Sequence, residues 1–277
     1  CKMETVLPEG ESLISPEDLD TLRFSVRTDG KKGFLFLNNF QDHAQPGPKK
    51  NETVTIELKD TQVIFDHIDL EGEENCILPF GWNMDGILLQ KAGAQMITRI
   101  EKEGQITYVF LKPEGMTPVF TFEEEAITSQ GNHVYKCGKD KPWELFIVEK
   151  GEVCLRILCL DRNTSNRMYL LSDQTLLFAR GAVMEEEDRI RLETESAYNK
   201  IMSYPKGAMK ARGSLEKAGE EEEIFDCWIL RTEEKKLKAE FTHTAALKYT
   251  VKVPEDFMDG LKDVLLQIRY KGDIGYA

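Results

Sequence analysis

Runs rich in β-branched and aromatic residues recur along this chain at intervals of roughly ten residues. They fall at 22–27, 34–38, 53–58, 63–65, 106–111, 119–122, 144–148 and 153–160, and the pattern continues more weakly at 174–179 and 189–192. Turn chemistry separates them: Asp29-Gly30, Pro46-Gly47-Pro48 and Lys150-Gly151 each supply the backbone freedom or restriction that a reversal needs. Such spacing predicts an all-β fold, an antiparallel β-sandwich.

Residues 197–223 change character. Small residues, Gly207, Gly213 and Gly219, and alternating charge predict a linker with some helix. The β pattern resumes at 225–230, 237–241 and 247–253, and a last strand is predicted at 264–270, so 224–277 reads as the start of a second, incomplete jelly-roll-like β module. The division is therefore 1–20 as a connecting segment, 21–196 as the sandwich, 197–223 as linker and 224–277 as the second module. A single helix start is signalled, at Ser15-Pro16-Glu17-Asp18, where Ser15 is an N-cap and Pro16 a first-turn proline. The chain begins at Cys1 and its last predicted strand lacks partners, so both ends read as cut, with a further domain expected beyond them.

The stretch CILPFGWNMDGILLQKAGAQMIT (76–98) predicts two strands about a turn at 83–86, followed by a buried strand that another backbone approaches closely at Ala92-Gly93-Ala94. It carries no catalytic-looking group. LPFGWNMDGILLQKAGAQMITRI resembles the "LPF … DxxGxxLxxAxAQ" signature that follows the catalytic barrel in family 35 glycoside hydrolases, the β-galactosidases. LRFSVRTDGKKGFLFLNNFQDH (22–43) resembles the same family's "LRxSVRTDGxxGFLFVNNxQ" hairpin, and TYVFLKPEGMTPVFTF (107–122) its "TYxFFxxEGixPxFxF" hairpin. LRILCLDRNTSNRMYLL (155–171) and YTVKVPEDFMDGLKDVLLQIRY (249–270) resemble its later β modules. Two departures stand out, Gly81-Trp82 and Lys91-Ala92-Gly93-Ala94, where the family more often has a simpler pair and a tyrosine-containing run.

The resemblance implies a non-catalytic accessory portion of a retaining enzyme that hydrolyses terminal β-D-galactosyl residues. Its acid/base and nucleophile would be two glutamates on an α/β barrel preceding Cys1, about 5 Å apart. No residue of this chain inherits a catalytic role. The implied partners are that upstream barrel and, through it, galactoside glycans. The competing expectation is a free-standing carbohydrate-binding or structural β-sandwich.

Sugar binding calls for aromatic faces beside hydrogen-bonding groups. Trp82, next to Asn83 and Asp85, and Trp143, after Lys141-Pro142, are the candidates, with Asp85 as the polar partner; Trp228 lies between Cys227 and Ile229 and reads as core. Asp161-Arg162-Asn163 follows an apolar strand and predicts a charge-assisted pair that fixes an interface.

A length of 277 residues allows a sizeable core, and 41% hydrophobic with 31% charged residues is ordinary for a globular protein. A net charge of -13 argues against nucleic acid and anionic lipid surfaces as partners. No apolar run approaches the ~18 residues a membrane-spanning helix needs. The four histidines, His43, His67, His133 and His243, are widely separated, and the six cysteines form no CxxC, so neither a metal nor a cofactor is expected. Cys154 and Cys159 face opposite sides of one strand and are not expected to pair. Reduced thiols and the lack of a visible leader favour the cytoplasm. An accessory role predicts one unusually apolar flank on the first sandwich, and self-association if that flank is bare.

Overall fold

A strand with alternating apolar and polar residues buries one face, whereas a strand apolar throughout must be covered on both. Both kinds occur here, and the difference between them organises the molecule. The computed structural model describes residues 3–8, 14–187, 189–194, 196–210, 215–219, 222–231, 239–245 and 248–255.

The chain enters through β1 (Glu4–Val6), β2 (Arg23–Thr28) and β3 (Gly33–Asn38), then steps aside into a hairpin, β4 (Lys49–Glu57) and β5 (Gln62–Leu70). It returns through β6 (Asn75–Met84), β7 (Ile87–Ala92), β8 (Gln95–Lys102), β9 (Gln105–Leu111) and β10 (Val119–Phe122). β11 (Ile127–Thr128), β12 (Val134–Lys136), β13 (Trp143–Lys150) and β14 (Val153–Leu160) complete the first part. After a four-residue helix, α1 (Arg162–Ser165), come β15 (Met168–Leu170), β16 (Leu176–Phe178), β17 (Ala182–Glu185), β18 (Ile190–Glu193) and β19 (Tyr198–Tyr204). β20 (Leu215–Lys217), β21 (Asp226–Arg231), β22 (Glu240–Ala245) and β23 (Lys248–Lys252) follow.

Three sheets result. A seven-stranded sheet runs β1-β2-β3-β6-β7-β10-β12, a five-stranded sheet β11-β13-β14-β9-β8, and a second five-stranded sheet β15-β16-β19-β21-β20. The remaining described strands form the hairpins β4–β5, β17–β18 and β22–β23. The fold is all-β, and among the described residues the pairing is antiparallel apart from β9 and β14, which run parallel from Ile106 opposite Leu155 to Leu111 opposite Leu160.

That parallel pair lies inside the middle sheet. Phe110, Phe146, Leu155 and Ile157 face Phe120 and Phe122 of the seven-stranded sheet. Val109, Leu158 and Leu160 face the other way, onto Leu176, Phe178 and Tyr204 of the third sheet and Phe225 just before β21. Two-sided burial explains why 107–111 and 157–160 are buried without alternation. β3, by contrast, alternates: Leu35 and Leu37 pack with Leu78, Phe80 and the β4–β5 hairpin. Polar links also join the layers. Lys102 Nζ donates to Asp173 Oδ2 (2.7 Å) and its backbone oxygen (3.0 Å), and the Thr107 and Tyr204 hydroxyls lie 3.0 Å apart in a buried contact.

The second face of the middle sheet is apolar, but the third sheet of the same chain covers it, so it is not the bare flank expected on the first sandwich. Three further expectations are corrected. The described residues of 197–223 hold strands where a linker with some helix is predicted: β19 and β20 lie there, and β19 is central in the third sheet, with Ile201 and Tyr204 buried. The Ser15-Pro16 helix is a turn. Asp18 N–H donates to Ser15 O (3.0 Å), and the Asp18 carboxylate takes the N–H groups of Asp20 and Thr21, a local bond that competes with helix extension. Within the 1–20 connecting segment, β1 pairs with β2, Val6 opposite Val26. The predicted strand at 264–270 and part of the one at 237–241 lie outside the described residues.

Candidate functional site

The end of β6 and the β6–β7 turn carry two of the three residues expected to bind sugar. Trp82 stands near the end of β6, where its ring meets Phe34 (centroids 5.5 Å apart) and the ammonium of Lys32 lies 5.2 Å from its centre. The ring is thus already engaged by an aromatic contact and a cation–π contact. Asp85 sits in the turn with φ of 47°. Its carboxylate accepts Arg99 Nε at 2.7 Å and Nη2 at 3.1 Å, a bidentate fork, together with the Tyr108 hydroxyl at 2.8 Å. Those bonds hold the Asp85 carboxyl below the usual carboxylate range, the Arg99 hydrogen bonds being the largest cause, while burial and the Asp85 hydrogen bond push the Tyr108 hydroxyl up to about 12. The geometry is that of a latch from the β6–β7 turn onto β8 and β9.

This latch gives a pH prediction with a definite sign. A carboxyl whose pKa is lowered in the folded state contributes stability above its ordinary value, 3.8 here, and loses it as pH falls through the folded value. Asp85→Asn is expected to cost about 1–2 kcal/mol at neutral pH, after discounting for partial exposure. Urea unfolding repeated at falling pH should show the gap to the unsubstituted protein closing in acid. A gap that stays constant with pH would reject the ionic latch.

Trp143 is elsewhere. Its half-buried ring packs edge-to-face on Phe225 (5.2 Å, 89°) in the core between the middle and third sheets. Trp82 packs against the core on the opposite face of the middle sheet, so the two tryptophans do not share a groove. Trp228 is buried, and its Nε1 donates to Ser203 Oγ (3.1 Å).

A concavity lies at the end of the parallel pair. Beyond Leu111 and Leu160 the chain leaves β9 toward the seven-stranded sheet and leaves β14 toward the third sheet, and a crevice opens between the diverging segments. Loops 112–116, 139–142 and 161–163 wall a lobe of about 470 Å³. A second lobe of about 430 Å³ adjoins it along 72–75, and the two share Glu114 and Arg162.

At the junction a buried carboxylate anchors the guanidinium. Glu74 Oε1 pairs with Arg162 Nη2 and accepts the Asn75 N–H (3.0 Å), while Oε2 accepts the Glu114 N–H (3.2 Å). A half-exposed arginine on a satisfied buried acid is held without an orphaned charge. Burial, helped by the negative charge of Glu74, pushes the nearby Cys76 thiol up to about 12. Lys112 Nζ pins the opposite wall by donating to the backbone oxygens of Lys139 (2.8 Å) and Lys141 (3.1 Å). Asp161 caps α1 through the Thr164 N–H (2.7 Å).

The Asp161-Arg162-Asn163 run was readable as the source of a charge-assisted pair, but its partner Glu74 was not. Nothing local in the sequence joins 72–75, 112–116, 139–142 and 161–163. No group of three or more histidine, cysteine or acidic residues suited to a metal occurs among the described residues. No described helix is long and apolar enough to cross a membrane.

The fold and cleft define an all-β protein of stacked sheets with a polar crevice at the carboxyl ends of its two parallel strands. No protein-family model matches the chain, and no curated protein matches it.

Proposed function

We propose that this chain is the non-catalytic β-sandwich region of a family 35 β-galactosidase-like enzyme, a scaffold that buttresses an upstream α/β barrel of the same polypeptide. The barrel would perform retaining hydrolysis of terminal β-D-galactosyl residues. The observation that carries the reading is the structural use of its signature stretch. Leu78 and Phe80 of LPF are fully buried, as are Ala92 and Ala94. A side chain on Gly93 between them would come within 3.3 Å of the Val119 backbone nitrogen. Gln95 Oε1 accepts the N–H of Ile77 (3.0 Å) on the part of β6 that β7 does not reach. A word made of core contacts and edge closure suits a scaffold, and it supplies no pair of opposed carboxylates.

Reading the gene outward from both ends is the test. An upstream frame encoding a barrel with glutamates at two strand ends is expected, and a start codon or signal peptide directly before Cys1 overturns the reading. The isolated chain should also bind galactosides immeasurably weakly, because Lys32 and Phe34 already occupy Trp82. Affinity abolished by Trp82→Ala would favour a free-standing carbohydrate-binding protein instead.

A further inference from the structure

We infer that Cys137 and Cys159 are a disulfide site, an open thiol pair that becomes a covalent clamp between two sheets when the chain folds in an oxidising compartment. The accessory-module reading gives these residues no task, and the clamp does not depend on it.

Strand register brings the two together. Tyr135 of β12 stacks on Phe146 of β13, with ring centroids 3.7 Å apart and planes within 5°. Phe146 stands opposite Ile157 of β14, and two residues further along the same ladder Glu144 stands opposite Cys159. Side chains two residues apart on a strand share a face. Two residues beyond Tyr135, on that face, comes Cys137, whose N–H donates to Pro118 O (2.9 Å) and so prolongs the β10–β12 ladder. The step is matched on both layers, which sets Cys137 over the Glu144–Cys159 pair. Glu144 ties the layers at this point: Oε2 accepts the N–H of Gly138, next after Cys137, at 2.7 Å, and Oε1 accepts the Tyr135 hydroxyl at 2.7 Å. The Cys137 thiol in turn shares a hydrogen bond with the Cys159 thiol. Both lie in the core between the two sheets, 5% and 4% exposed, and both are thiols in this structure. Sulfurs already in hydrogen-bond contact reach the bonded distance of about 2.05 Å by a small approach.

Among the described residues no other cysteine is placed to compete. Cys76 lies in the core beneath β4–β5, Cys227 belongs to the third sheet, and Cys154 stands near the start of β14, roughly 16 Å along the strand from Cys159. The clamp would fasten a weak edge, because β12 is a three-residue edge strand paired to β10. A bond from its end to β14 closes the loop 137–159 and restricts the unfolded chain.

The oxidant is a low-molecular-weight disulfide such as oxidised glutathione. The thiolate of one cysteine attacks it, forming a mixed disulfide and displacing one glutathione thiolate. The second cysteine, as thiolate, attacks the protein sulfur of that mixed disulfide, which forms the Cys137–Cys159 bond and releases the second glutathione. Two electrons pass to the oxidant, and the two cysteine protons end on the two released thiols. In the folded chain the pair is a poor nucleophile, because the shared hydrogen bond and burial hold the Cys137 thiol well above its ordinary range. Oxidation therefore belongs to folding, before the sheets close, after which the core shields the bond from reductants.

The test refolds the reduced, denatured chain by dilution into mixed oxidised and reduced glutathione and, in parallel, into dithiothreitol. Both samples are alkylated in denaturant, digested and mapped by mass spectrometry without reduction. A peptide pair linking Cys137 to Cys159 is expected from the glutathione sample alone, and that sample should melt about 5 °C or more above the dithiothreitol sample. Cys137→Ala should yield no linked pair and the same melting temperature from both buffers. The map of the unsubstituted chain decides the site even if that variant does not fold. Both cysteines alkylated after refolding in glutathione, a link from either to any other cysteine, or a linked form that melts no higher than the thiol form would each overturn the clamp.

Discussion

Replacing Phe120 by alanine should remove about 3–5 kcal/mol of folding stability, the range for deleting a fully buried phenylalanine. Phe120 projects from β10 in the seven-stranded sheet and meets two rings of the middle sheet edge-on, Phe110 at 5.0 Å and Phe146 at 5.2 Å. Its loss would open a cavity at the contact between layers. β10 is held by ladders to β7 and β12, and β9 and β13 by ladders to β14, so the strands on either side resist collapsing into it. Urea unfolding measures the cost, and Phe241→Ala is the matched control. Phe241 is 75% exposed on β22, so its truncation should change stability by less than about 0.5 kcal/mol. A Phe120 variant within about 1 kcal/mol of the unsubstituted protein would mean that this core is loosely packed.

Gly81→Ala should be of similar severity, about 2–5 kcal/mol, for a different reason. Gly81 follows Phe80 in β6 with φ of 64°, a left-handed conformation that costs an L side chain about 1–2 kcal/mol. An added Cβ would also stand 2.3 Å from the backbone oxygen of Lys31 and 2.9 Å from the Cα of Lys32. Both are main-chain atoms that no rotamer change can clear. Gly30 separates the two terms, because it also has positive φ (92°) but nothing within 4 Å of where its Cβ would be. Gly30→Ala should therefore show the conformational cost alone. Equal losses at the two positions would show that the β2–β3 turn yields to the clash.

The comparison of glycines also shows what the sequence could and could not convey. Gly81 marked itself only as part of an unusual Gly81-Trp82 pair, since the atoms that require it belong to a turn fifty residues upstream. Local periodicity carried most of the fold: β2, β3, β10, β13, β14 and β21 lie where β-branched and aromatic runs predicted them. It failed where tertiary contacts outvoted composition. β19, YNKIMSY, sits among glycines and charges, and only the ladder to β21 shows Ile201 and Tyr204 to be core residues. At Ser15-Pro16 the helix signal lost to the Asp18 side chain, a competition that reads the same way in sequence until the backbone is seen.

The site residues divide similarly. Trp82, Trp143 and Asp85 stand out in the sequence by residue type alone, and each has a packing or ionic role with a partner on another segment: Phe34, Phe225 and Arg99 respectively. The crevice was invisible because four separated loops build it. Its one legible residue was Arg162, and the acid beneath it lies 88 positions away.

The parallel pairing of β9 with β14 also bears on how the molecule reaches its native state. β9 can zip onto β8 as soon as their short turn closes, but its other edge waits for a strand made only after β10 to β13 have been laid down. Until β14 arrives, the middle sheet lacks its centre and neither neighbouring layer has a surface to settle on. Contacts of long sequence separation slow the search for the native arrangement. Here they also make completion of one strand pair the event on which both cores depend, so the two cores are expected to appear together in refolding rather than in succession.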